Sequence, residues 1–123
     1  MVQGRVFVAQ RKQGGPAGLK WEFPGGKLES GETPQQCLGR ELWEELHIAV
    51  SVGAYFGSSI HAYDGVTVKL LAYWVQWNGQ GSIDLRSHLV YEWVGKEELL
   101  QLDFAAADLP LVAKLRNQWP TSV

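Results

Sequence analysis

Thr33-Pro34-Gln35-Gln36 opens the one segment of this chain whose local structure is dictated almost residue by residue. A threonine hydroxyl at a helix N-cap accepts a hydrogen bond from the amide three residues on. A glutamine at that position returns a bond to the cap's own amide, and proline suits the first turn because its missing N–H has no helical partner to lose. After Pro34 the apolar residues Leu38, Leu42 and Leu46 recur every four positions, one stripe of a helix predicted to run to about Leu46. Glu41, Glu44 and Glu45 occupy a neighbouring arc about 100° wide on the same helix. Three like charges so close destabilise an isolated helix by roughly a few tenths of a kcal/mol per pair. Two readings account for them. In one they hold a hard divalent cation, Mg²⁺ above all, which prefers carboxylate oxygens and keeps water and phosphate oxygens as its other ligands. In the other they form a solvated acidic face on which Arg40 pairs with Glu44 one turn further on.

The remaining segments are predicted from period and punctuation. Val6 to Ala9 alternates as a short strand, and Gln13 to Gly18 is a loop dense in glycine and proline. Trp21-Glu22-Phe23 is a brief extended piece ending at Pro24-Gly25-Gly26. Ile48 to Tyr63 is a strand with a bend or bulge at Gly53 and Gly57, Asp64-Gly65 a hairpin turn, and Val66 to Trp77 the returning strand. Val90 to Val94 is another strand, Lys96 to Leu100 a single helical turn, and Asp108 to Trp119 a second amphipathic helix. Strands interleaved with helices on a curved mixed sheet give an α/β (α+β) sandwich. No repeat or low-complexity stretch divides the chain, so residues 1–123 are read as a single domain.

Composition narrows the partners. An apolar fraction of 46% with six tryptophans supplies a packed interior, and a net charge of −2 lacks the basic excess of a nucleic-acid binder. A phosphorylated small molecule remains compatible, because a bound metal ion supplies positive charge locally. Cys37 is the only cysteine, so neither a disulfide within the chain nor a thiolate metal cage is available, in keeping with a reducing cytoplasm. The N-terminal residues carry no basic region followed by an apolar run, and no apolar stretch approaches the roughly 20 residues that span a bilayer. The expectation is a cytoplasmic protein without a membrane partner, as a monomer or homodimer.

Context upstream of the helix favours the cation. Pro24-Gly25-Gly26-Lys27 forms a loop whose backbone can approach a ligand closely, leaving a carbonyl free to join a metal shell. Glu32 adds a fourth acid beside the helix start, where the helix dipole also favours it. Gly26, five residues, Glu32, seven residues, then Arg40-Glu41-Leu42-x-Glu44-Glu45-x-x-Ile48 resembles the signature of the Nudix hydrolase family. The run Trp21 to Glu29, together with Trp93-Val94, Glu97 to Leu100 and Ala107 to Leu111, is similar to MutT-like and CTP pyrophosphohydrolase-like members.

That resemblance implies a Nudix-type α/β/α sandwich and Mg²⁺-dependent hydrolysis, Mn²⁺ being a possible substitute. The substrate would be a (deoxy)nucleoside triphosphate, split to a monophosphate and pyrophosphate in sanitising the nucleotide pool, with cytidine-type or oxidised purine nucleotides leading. By the same resemblance Glu41, Glu44 and Glu45 bind the metal with the Gly25 carbonyl, Arg40 orients the glutamates, and Glu32 supports the loop. Arg11 and Lys27 are implied at phosphate, Phe23 and Tyr63 at the flanks of a base, and Asp108 in a hydrogen bond to it. Asp108 is equally placed to cap the helix containing Pro110, and both readings stay open.

Three departures stand out. His47 occupies a helix C-terminal position where the family pattern has glycine, which should cost stability and not activity. Ser87 stands where related enzymes often carry a further glutamate, which leaves Glu41 as base, or His88 as a helper, or reduced turnover. The strand that usually precedes the one at Val6 is missing from Met1 to Gly4. A catalytically weak Nudix-fold nucleotide-binding or sensor module is the alternative function.

Overall fold

The computed structural model describes residues 2–15, 17–63 and 65–120, with the side chain of Tyr63 excluded. β1 (Val6–Arg11) lies between β2 (Trp21–Glu22) and β5 (His88–Val94), antiparallel to both. β3 (Val50–Tyr63) and β4 (Val66–Trp77) form a separate antiparallel hairpin. Helix α1 (Pro34–Leu46) follows β2, the single turn α2 (Lys96–Leu99) follows β5, and a 3-10 turn (Ala106–Asp108) leads into α3 (Leu109–Asn117). Among the described residues the parallel contribution to the sheets is one bridge, Trp21 to Phe104. Where a first strand was expected to be missing, Val2 and Arg5 exchange backbone bonds of 2.9 and 3.0 Å around a tight turn.

Period-2 alternation makes β1 the middle layer. Val6 and Val8 are buried in one core with Val112 and Leu115 of α3. Phe7, pointing the other way, packs with Leu42 and Leu46 of α1 in a second core. A helix on each face of the strand is the expected α/β/α layering. The two sheets share no ladder among the described residues and meet through side chains, as where Trp77 of β4 stacks on Trp93 of β5 with centroids 6.5 Å apart.

Local predictions hold closely. The Thr33 hydroxyl accepts from the Gln36 amide at 3.1 Å, and the Thr33 amide donates to the Gln36 side chain at 3.0 Å. β3 shifts register on either side of Tyr55, next to the glycines that marked the bend. β1 extends two residues past the predicted end and so takes in Arg11, and β5 likewise begins two residues early, at His88. α3 stops at Asn117, short of Trp119. Tyr63 pairs with Val66 to close the hairpin, while Asp64 lies outside the described residues.

His47 ends α1 in the left-handed region, at φ 57 and ψ 39. Its ring lies tilted against Trp43 with centroids 4.1 Å apart, and Arg86 reaches its Nδ1 at 3.2 Å. These contacts offset the strain of a side chain at positive φ. His47→Gly is therefore expected to leave stability within about 0.5 kcal/mol of wild type, whereas His47→Val, strained and without the ring, loses about 2 kcal/mol in urea unfolding.

Candidate active site

The loop ahead of α1 is tied to the helix through one side chain. Arg40 donates to both oxygens of Glu32, at 2.6 and 3.0 Å, to Glu41 at 2.7 Å, to Glu44 at 3.0 Å and to the Lys27 carbonyl at 3.1 Å. A planar guanidinium suits this many acceptors because its donors fan out in fixed directions. The Glu29 amide adds a bond of 3.0 Å to Glu32, and the bonds from Arg40 and then this amide hold the Glu32 carboxyl down at about 2. A β-carbon at Gly26 would run into the Glu41 carboxyl group, so any larger residue there has to turn the Glu41 side chain aside. Arg40 thus ties Glu32 of the loop to Glu41 and Glu44 of the helix.

Replacing Arg40 by alanine leaves these carboxylates facing one another with no cation between them. Residues 24–32 are then expected to become the first site of proteolytic cleavage under conditions where the wild type is uncut. Because a depressed carboxyl stabilises the fold above its unfolded value, the Glu32 contribution is present above pH 4.5 and is lost as pH falls toward 2. Arg40→Ala should erase that acid-side dependence.

The three glutamates of α1 do not share one environment. Glu41 and Glu44 turn onto Arg40, and Glu44 is exposed. Glu45 faces the central cleft, which Arg11, Glu22, Phe23, His88 and Asp108 also line. Its Oε2 is buried and has no hydrogen-bond partner. Burial pushes the Glu45 carboxyl up to about 7; charge from His88 and the nearby Gly25 backbone amide pull it down, and charges on Glu41 and Glu22 raise it further. Among the described residues no three acidic, histidine or cysteine side chains are already grouped as a metal cage. The donors nevertheless suit a divalent cation: hard carboxylate oxygens, one of them buried and unsatisfied.

Across the cleft a charged group links the three strands of the first sheet. Glu22 of β2 accepts from Arg11 Nη1 of β1 at 2.9 Å and lies 2.8 Å from His88 Nε2 of β5. Arg11 and His88 are register partners beyond a shift at Gln10, so their side chains are neighbours. Burial raises the Glu22 carboxyl, but the bonds from His88 and Arg11 outweigh it and the net displacement is downward. Glu22 was not among the residues singled out from sequence. The available signal was an acid in the otherwise aromatic piece Trp21-Glu22-Phe23.

Asp108 is 6% exposed and makes no side-chain capping bond to α3, so its position at the helix start is not explained by capping. Burial foremost, then the charge of Glu22, pushes its carboxyl up to about 7 against the pull of Arg11. Phe23 lies half-buried against Phe104, with ring centroids 5.5 Å apart. Lys27 is at the cleft rim, and the side chain of Tyr63 lies outside the described residues.

This arrangement matches known proteins over nearly its whole length. The NUDIX domain profile matches residues 2–115. The chain is 41% identical over 110 residues to the CTP pyrophosphohydrolase of Escherichia coli (strain K12), covering 89% of this chain and 80% of that protein. It is also 41% identical over 113 residues to the putative 8-oxo-dGTP diphosphatase 2 of Mycobacterium tuberculosis, covering 89% and 78%. Among solved structures, the E. coli ORF135 protein superposes with a TM-score of 0.79 at 35% identity, over 98% of this chain and 87% of that one. The MutT protein of Methanosarcina mazei Go1 gives 0.83 at 22% identity, over 95% and 86%, a likeness of fold alone. The chain belongs to the Nudix hydrolase family. No helix among the described residues is long and apolar enough to cross a membrane.

Proposed function

We propose that this hydrolase splits a (deoxy)nucleoside triphosphate into a monophosphate and pyrophosphate with Mg²⁺ bound at Glu41, Glu44, Glu45 and the Gly25 carbonyl, Mn²⁺ serving as a substitute. The observation that carries the reading is the buried, unpaired Glu45 Oε2 at the wall of a cleft that also presents Arg11. When bound, the cation supplies Lewis-acid activation of water and screens phosphate charge. Glu41 and Glu44 each bond Arg40 through one carboxylate oxygen, so the cation shares these two side chains with Arg40. In this reading Arg11 and Lys27 hold the triphosphate, Phe23 and Tyr63 flank the base and Asp108 hydrogen-bonds its edge. Glu41 accepts the proton of the attacking water, and Arg40, Glu32 and His88 keep the surrounding groups in place.

The named relatives favour cytidine-type or oxidised purine nucleotides as substrates and a role in sanitising the nucleotide pool. A weakly catalytic nucleotide sensor is the second reading; it is favoured by the hold of Arg40 on two of the three glutamates and by the serine at position 87. Pyrophosphate release from a panel of normal, methylated and oxidised triphosphates with Mg²⁺ separates the two. Turnover of at least one of them supports the enzyme; tight binding of a triphosphate without release of pyrophosphate supports the sensor.

A further inference from the structure

The Glu22 carboxylate bonds two donors on opposite oxygens, Arg11 at Oε1 and the His88 ring at Oε2. An ionised carboxylate only accepts hydrogen bonds, so in neutral His88 the proton must sit on Nε2. Nδ1 is then a bare acceptor. That atom is buried and has no partner, in a side chain only 2% exposed. Glu45, whose Oε2 is likewise buried without a partner, lines the same cleft. Two unsatisfied acceptors in one cleft are unusual in a folded interior and leave each free to take a donor during the reaction. Arg11 has one bond to Glu22 and keeps its remaining N–H donors for an anion.

We propose that Glu22 is a positioning residue, whose two oxygens aim Arg11 into the cleft and fix His88 in the tautomer that offers Nδ1 as an acceptor in the cleft that Glu45 also lines. The part played by Arg11 toward a triphosphate rests on the proposed function; the tautomer assignment does not. Only a carboxylate meets both demands. A glutamine at position 22 has one acceptor and one donor, and arginine cannot accept. Its carbonyl must therefore face Arg11 while its NH₂ faces His88 Nε2, which drives the imidazole proton to Nδ1.

The test uses the full chain labelled with ¹⁵N-histidine, read by two-bond ¹H–¹⁵N correlation beside steady-state kinetics on a triphosphate that the wild type hydrolyses. In the wild type, His88 should show a pyridine-type Nδ1 and a protonated Nε2. Glu22→Gln should invert that pattern and lower kcat about tenfold, with KM within about threefold, because Arg11 keeps its acceptor. Glu22→Asp retains a carboxylate and should keep the wild-type tautomer and most of kcat. Glu22→Ala frees Arg11 and should raise KM about tenfold. A wild-type His88 protonated at Nδ1, an unchanged tautomer in Glu22→Gln, or an inverted tautomer with unchanged kcat each overturns the proposal. Should the wild type hydrolyse no triphosphate, the functional reading fails, and the His88 pattern in wild type and Glu22→Gln still decides the positioning role.

Discussion

Glu45→Gln is expected to lower Mg²⁺-dependent pyrophosphate release by about 10²- to 10³-fold while making the metal-free protein more stable at pH 8. Both effects come from the same oxygen. Glu45 Oε2 is buried without a partner, and the carboxyl titrates at about 7 against an ordinary 4.5. A group raised in the folded state gives its full stability below pH 4.5, and that stability drains away as pH climbs toward 7. Glutamine does not ionise, so at pH 8 the variant escapes this penalty and should gain about 1–3 kcal/mol in urea unfolding, with solvent screening of the half-exposed group limiting the figure. At pH 4.5 the two proteins should unfold alike. Added Mg²⁺ stabilises only a protein that binds it when folded, so it should raise the wild-type Tm and leave the variant unmoved. Equal activity in the two proteins, or an equal response of both to Mg²⁺, would remove Glu45 from the site.

Asp108→Asn should also stabilise the fold at high pH, although the residue occupies the position of a helix cap. With the carboxyl at about 7 against 3.8, the folded protein keeps a neutral side chain where the unfolded chain is ionised. Stability therefore falls between about pH 4 and pH 7, and asparagine should recover about 2–4 kcal/mol at pH 8 but nothing at pH 4. A capping aspartate behaves in the opposite sense, since a charged carboxylate at a helix start is favourable. Toward substrate, a neutral carboxyl and a carboxamide each offer one donor and one acceptor. Asp108→Asn should accordingly retain its KM above pH 7, where that of the wild type rises, and Asp108→Ala should raise KM about tenfold at every pH. Loss of stability in Asp108→Asn at both pH values would restore the capping role.

What the sequence made legible follows the reach of the interactions. The Thr33–Gln36 box, the α1 stripe and the end of the helix at Leu46 are set by neighbours within four residues, and all were predicted where they occur. The layering was legible too, because Val6, Phe7 and Val8 alternate between two cores. The Glu22–His88 bond joins residues 66 apart, and nothing in Trp21-Glu22-Phe23 announces which strand will bring a donor to it. The three glutamates share one helical arc, yet period alone could not show that Arg40 takes two and leaves the third to the cleft. At Asp108 the pattern before a helix is the same for a cap and for a buried pocket residue; the burial that separates them comes from distant parts of the chain.

The separation of the two sheets bears on how the molecule opens. Side-chain packing, not a continuous backbone ladder, joins the β3–β4 hairpin to the three-stranded sheet among the described residues. Cooperativity between them is carried by contacts such as Trp77 on Trp93 and the packing of Phe56 and Trp74 against the core that holds Val6, Val8 and Val94. Loosening those contacts, together with the bonds from Ser59 to the Ala107 carbonyl and from Lys114 to the Phe56 carbonyl, is expected to release the hairpin, whose amides should then exchange with solvent as one unit through an opening shallower than global unfolding.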